Sequence, residues 1–124
     1  MKKLFLLVIL LSTLTFAQGT YYYKVTYVEC FNTATSQLLT TEPNPDLTIG
    51  FKLNSKSTGT MTFSTGLLFY LNSYKTLYDG AFEYKTKANN NTACITKLYF
   101  GGDGSLVVIL IFNDLTFRYS AWVM

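Results

Sequence analysis

The sequence predicts an all-β protein, a small antiparallel β-sandwich of about eight short strands, with a small closed β-barrel as the alternative. Three observations predict it. Leu106 to Phe112 is an uninterrupted apolar run bounded by Gly101-Gly102-Asp103-Gly104-Ser105 before and Asn113-Asp114 after, which reads as a buried strand. Leu47, Ile49, Phe51 and Leu53 alternate with Thr48, Gly50 and Lys52, the period-two pattern of a half-buried strand. Finally, the chain is rich in Tyr, Thr and Phe, poor in charge, and free of any long helical period. The same balance of apolar content and charge excludes disorder.

Met1 to Ala17 reads as a cleaved signal peptide: Lys2 and Lys3, then the apolar stretch Leu4 to Leu11, then a small residue at Ala17 before Gln18. This predicts a secreted protein, extracellular or periplasmic, whose mature part, residues 18–124, is a single all-β domain. A chain of that size can bury about two thirds of its unfolded surface. Two of the ten basic residues leave with the leader, so eight stand against seven acidic ones. That near-neutral balance argues against a nucleic-acid partner, which needs a basic stripe. The apolar runs are too short for stable membrane insertion of the mature chain, since a helical span takes about 20 residues.

In chain order, Thr20 to Phe31 is the first strand, with apolar residues at both odd and even positions. Asn32 to Asp46 is polar and ends Glu42-Pro43-Asn44-Pro45-Asp46; it reads as an irregular crossing between two layers, the feature that favours a sandwich. Strands follow at Leu47 to Leu53, Thr60 to Thr65 and Leu67 to Tyr74. Asp79-Gly80 marks a reversal, and Ala81 to Lys87 reads as a weaker strand near an edge, where lysines deter pairing. Asn89 to Thr92 is a polar turn that places Asn90 in an Asn-x-Thr acceptor pattern. Cys94 to Phe100, Leu106 to Phe112 and Leu115 to Val123 are three consecutive antiparallel strands. Cys30 and Cys94, an even pair in an exported chain, predict a disulfide, which stabilises such a fold by about 4 kcal/mol in the loop-entropy description.

The last hairpins fix a register. A two-residue turn at Asn113-Asp114 sets Leu110 opposite Phe117 and Val108 opposite Tyr119, and the preceding loop sets Leu98 opposite Val108. A shift by one residue would drive Lys97 into the core. The outward face then carries Val107, Ile109 and Ile111 as an aliphatic row, flanked by Lys97 and Tyr99 on one side and by Arg118 and Ser120 on the other, with Trp122 further along. Three readings of this face are open. The long basic stems cover the row; the aromatic and cationic groups Tyr99, Lys97, Arg118 and Trp122 form a ligand-binding platform for a carbohydrate; or the row docks an extracellular protein partner.

The chain holds no histidine, which removes the commonest general base and zinc ligand. No nucleophile elbow or phosphate-cradling loop occurs. Asp79, Asp103 and Asp114 fall in turns, where Asp serves the backbone, and no spacing implies a paired-carboxylate site. The sequence is therefore read as non-catalytic, with no cofactor and no metal site. The leading expectation is a secreted β domain that binds a carbohydrate or surface partner; the alternative is a structural or assembly subunit that docks another protein through a sheet face.

Overall fold

The structure, a computed structural model, describes residues 20–53, 58–77 and 81–124. The signal-peptide reading of Met1 to Ala17, most of the turn after Leu53, and the reversal at Asp79-Gly80 lie outside the described residues. Nine strands run β1 Tyr21–Asn32, β2 Leu38–Pro43, β3 Thr48–Leu53, β4 Gly59–Phe63, β5 Leu68–Thr76, β6 Phe82–Ala88, β7 Ala93–Phe100, β8 Ser105–Ile111 and β9 Leu115–Val123. All pairings are antiparallel, in the order β2-β1-β3-β4-β5-β6-β7-β8-β9, and β1 also pairs with β9. That last pairing turns an open sheet into a closed eight-stranded barrel, with β2 added outside the ring.

The fold is thus all-β, and the barrel, not the sandwich, is the architecture. The difference lies in the segment between Asn32 and Asp46. It does not cross between layers. It holds β2, which folds back as a hairpin on β1, with Val28 opposite Glu42 and Cys30 opposite Thr40. The chain then turns at Asn44, which has a left-handed φ of 48°, and β3 continues along the same edge of β1, with Tyr22 opposite Gly50. β2 leaves an unpaired edge, but a bulge at its start and Pro43 at its end blunt it. Closure also corrects the expectation for Ala81 to Lys87. β6 lies between β5 and β7, not at an edge, and Lys85 and Lys87 turn outward.

Inside and outside separate strictly. Val25, Ile49, Met61, Phe69, Leu71, Leu98 and Val108 are almost fully buried in the lumen. Burying each such side chain contributes roughly 1.5–3 kcal/mol. Two aromatic clusters fill the rest. Tyr23, Phe51 and Phe100 meet at ring distances of 5.9 to 6.3 Å, and Phe63 stands 5.5 Å from Phe69 and 5.1 Å from Tyr119. Two polar side chains, Thr86 and Thr96, are buried among them and bond each other at 2.8 Å.

β1 contains the one irregularity that organises this interior. Opposite β9, Val25 pairs with Ala121 and Tyr27 with Ser120, so Thr26 is an extra residue. Its hydroxyl donates to the Ser120 carbonyl at 3.2 Å. The bulge reverses parity: Tyr23 and Val25 point inward before it, and Val28 packs against the core after it.

The expected disulfide is absent, and Cys30 and Cys94 are free thiols. β9 and β8 stand between their strands. Three strand spacings of about 4.8 Å along the wall exceed the Cα separation of about 4.4–6.8 Å that a disulfide spans. The Tyr119 phenol, on an intervening strand, feels both sulfurs.

Candidate functional site

The hairpin register derived from the sequence is the register of the structure. Leu98 pairs with Val108 and Lys97 with Ile109; Val108 pairs with Tyr119 and Ile109 with Arg118. Leu106, Val108 and Leu110 are buried, while Val107, Ile109 and Ile111 are half-covered on the outside. Lys97 and Arg118 therefore flank Ile109. The row continues on both sides, with Glu83 opposite Lys97 and Glu29 opposite Arg118.

The four candidate ligand residues do not converge. The Arg118 guanidinium turns away from Ile109 and donates to Glu29 at 3.2 Å. Tyr99 is half-buried opposite Val107, two strands from β9. Trp122 is exposed near the far end of β9, between Ser105 on β8 and Lys24 on β1. They spread over the outer wall of three neighbouring strands, β7, β8 and β9.

A concave surface exists further around the barrel, on β1, β3 and β4. It is a trough of about 320 Å³ lined by Tyr22, Thr48, Gly50, Lys52, Thr60 and Thr62. Its origin is local. Thr48, Gly50 and Lys52 are the outward residues of β3, and Thr60 and Thr62 those of β4. Gly50 lies between Tyr22 and Thr62 and has no side chain, so the middle of the face is dished. The Tyr22 ring lies across the vacant position: a Cβ at residue 50 would stand 3.0 Å from its Cε1. The result is an exposed aromatic ring at one side of a trough walled by threonine hydroxyls, with the Lys52 ammonium at one end. The neighbouring Lys24 is already engaged by Asp46 at 3.8 Å.

The chain's hydroxyls, one ring and one cation can hold a polar ligand by hydrogen bonds and stacking. The lining brings no nucleophile–base pair together. Among the described residues no group of three or more Cys, Asp and Glu side chains gathers as a metal site. Asp103, in the β7–β8 turn, accepts from the Ser105 hydroxyl at 2.6 Å and from its N–H at 3.0 Å. These bonds hold its carboxyl below the usual range and account for it as a turn residue. Burial pushes the phenols of Tyr23 and Tyr119 up to about 12 and raises the Cys94 thiol; all three belong to the packed interior.

The trough escaped the sequence reading because β1 and β3 pair across the β2 hairpin, so their register cannot be counted from one tight turn. One signal was present. A glycine in mid-strand marks a close approach by another group, and Gly50 interrupts an otherwise regular alternation.

No protein family, curated protein or solved structure matches the chain.

Proposed function

We propose that the chain is a non-catalytic, secreted β-barrel module that binds carbohydrate in the trough on β1, β3 and β4. The observation that carries this reading is the Tyr22 ring laid over Gly50 beside the hydroxyls of Thr48, Thr60 and Thr62. A sugar presents an apolar C–H face and a rim of hydroxyls, and this pairing of ring and hydroxyl lining meets both. The outward lysines and threonines support a module that works in water, and the pattern of Met1 to Ala17 supports export.

A glycan-array screen of the exported chain tests the proposal, run beside Tyr22→Ala and Tyr99→Ala variants. Binding lost only in Tyr22→Ala supports the trough. Binding lost only in Tyr99→Ala moves the site to the outer face of β7 to β9. No binding to any glycan overturns the reading.

A second reading rests on the half-exposed row Val107, Ile109 and Ile111: a structural or assembly subunit that docks a neighbour there. Concentration-dependent association in sedimentation, abolished by Ile109→Lys, would favour it; a monomer at all concentrations would remove it.

A further inference from the structure

We infer that the trough on β1, β3 and β4 takes a sugar that carries a carboxylate: the Tyr22 ring receives the face of the sugar and the Lys52 ammonium receives its acid group. This rests on the carbohydrate reading above and names the class of its ligand.

The register places the two groups one sugar apart. Tyr22 stands opposite Gly50, and its ring, 53% exposed, lies across that position. Lys52 is two residues along β3 from Gly50, on the same outward face and in the lining of the same trough. Two residues of strand measure about 7 Å, comparable to a pyranose ring with a carboxyl group at one end. Tyr22 and Lys52 sit on the neighbouring strands β1 and β3, so one small ligand meets both without wrapping around the barrel.

The surroundings of Lys52 favour an acid over a neutral group. Thr60 stands opposite it on β4, and the β1–β3 register carried on by one residue puts Thr20 on its other side. Both threonines line the trough and offer hydroxyls without charge. No carboxylate is in the lining, and among the described residues none forms an ion pair with Lys52. The same row continues through Tyr70 on β5 to Lys87 on β6. That row interposes no acid, and Lys87 lies too far round the wall to touch a ligand in the trough. At the opposite end Lys24 stands beside Thr48 and is held at 3.8 Å by Asp46. Asp46 thus supplies there the partner that Lys52 lacks. A ligand carboxylate gives the Lys52 ammonium a charge-assisted hydrogen bond, which a neutral sugar cannot offer.

Nuclear magnetic resonance titration of the isotope-labelled chain tests this. The probes are the methyl glycosides of glucuronic, galacturonic and N-acetylneuraminic acid, each beside its neutral methyl ester. The acid that binds identifies the sugar, and at low salt it should bind about fivefold more tightly than its own ester, the scale of one exposed ion pair. Added salt should close that gap. Lys52→Gln should abolish the gap and leave ester affinity unchanged, whereas Tyr22→Ala should weaken acid and ester together. Both side chains are exposed, so an unchanged thermal midpoint verifies the fold of each variant. Equal affinity for acid and ester, or an acid preference that survives Lys52→Gln, overturns this inference and leaves the carbohydrate reading standing. Shifts reproduced by acetate alone overturn it as well, by reducing Lys52 to a general anion contact. Binding of no sugar overturns both.

Discussion

Tyr22 and Gly50 are cross-strand partners in which the ring of one occupies the side-chain space of the other. Glycine inside a strand ordinarily costs about 0.5–1 kcal/mol relative to alanine, so Gly50→Ala would stabilise β3 were the ring not there. A methyl group at 3.0 Å from Cε1 and 3.2 Å from Cδ1 must displace it. We expect Gly50→Ala to be near neutral or mildly destabilising in the native chain, yet stabilising by about 0.5–1 kcal/mol in a Tyr22→Ala background. A double-mutant cycle in urea measures the difference. Equal effects in both backgrounds would show that the ring does not rest on residue 50.

Thr86 and Thr96 form a hydroxyl pair in the apolar lumen, 5% and 0% exposed, and Thr86 also reaches the Tyr84 carbonyl at 3.3 Å. Thr96→Val removes one partner and leaves the Thr86 hydroxyl with a single long bond, so it should cost about 1–3 kcal/mol. Changing both residues to valine removes the buried polar pair together and should cost less than the single change. Denaturant unfolding of the two variants decides it; a double variant weaker than Thr96→Val would contradict the pairing.

Alkaline unfolding follows from Tyr23 and Tyr119. Burial raises both phenols from 10.0 to about 12. Between pH 10 and 12 the unfolded chain has released these protons while the folded chain still holds them. Stability is therefore complete below pH 10 and falls as pH rises toward 12, by on the order of 2 to 3 kcal/mol for each phenol. Urea midpoints taken across that window should fall. Tyr23→Phe, which cannot ionise, should flatten the slope; an unchanged slope would assign the loss elsewhere.

The two thiols give a chemical check on the barrel. Thiol titration of the unfolded chain without reductant should count both Cys30 and Cys94. In the folded chain Cys94, 8% exposed and with its thiol raised by burial, should alkylate much more slowly than it does after unfolding. A chain without free thiols before reduction would mean that β1 and β7 approach more closely than the sheet order allows.

How far the sequence carries depends on the distance over which it must be read. The face built from Lys97, Ile109 and Arg118 was legible because two short turns tie β7, β8 and β9 together, and a one-residue slip would have buried Lys97. The barrel closure was not. Pairing β1 with β9 joins the two ends of the described chain, and no local turn announces it. β2 was hidden because Leu38–Pro43 is exposed at every position, so it has no alternation to read. Cys30 and Cys94 are an even pair in the sequence, but two strands stand between theirs, and only the closed sheet order shows it.

Thr26 explains the least readable strand and supplies the sharpest test of the fold. In β1, Tyr23 and Val25 face the lumen, but so does Val28, so no single parity fits the sequence. The extra residue opposite β9 reconciles them. Deleting Thr26 would make Val25 and Tyr27 neighbours opposite Ala121 and Ser120, a regular ladder in which Val28 still faces the lumen and Glu29 still reaches Arg118 from outside. The deletion should therefore keep a cooperative unfolding transition, and Thr26→Ala, which keeps the residue count and loses one half-buried hydrogen bond, should cost about 1 kcal/mol. Circular dichroism and thermal melts of the two variants test this. A deletion variant without a cooperative transition would show that the extra residue, and the local twist it gives β1, is needed to close the barrel.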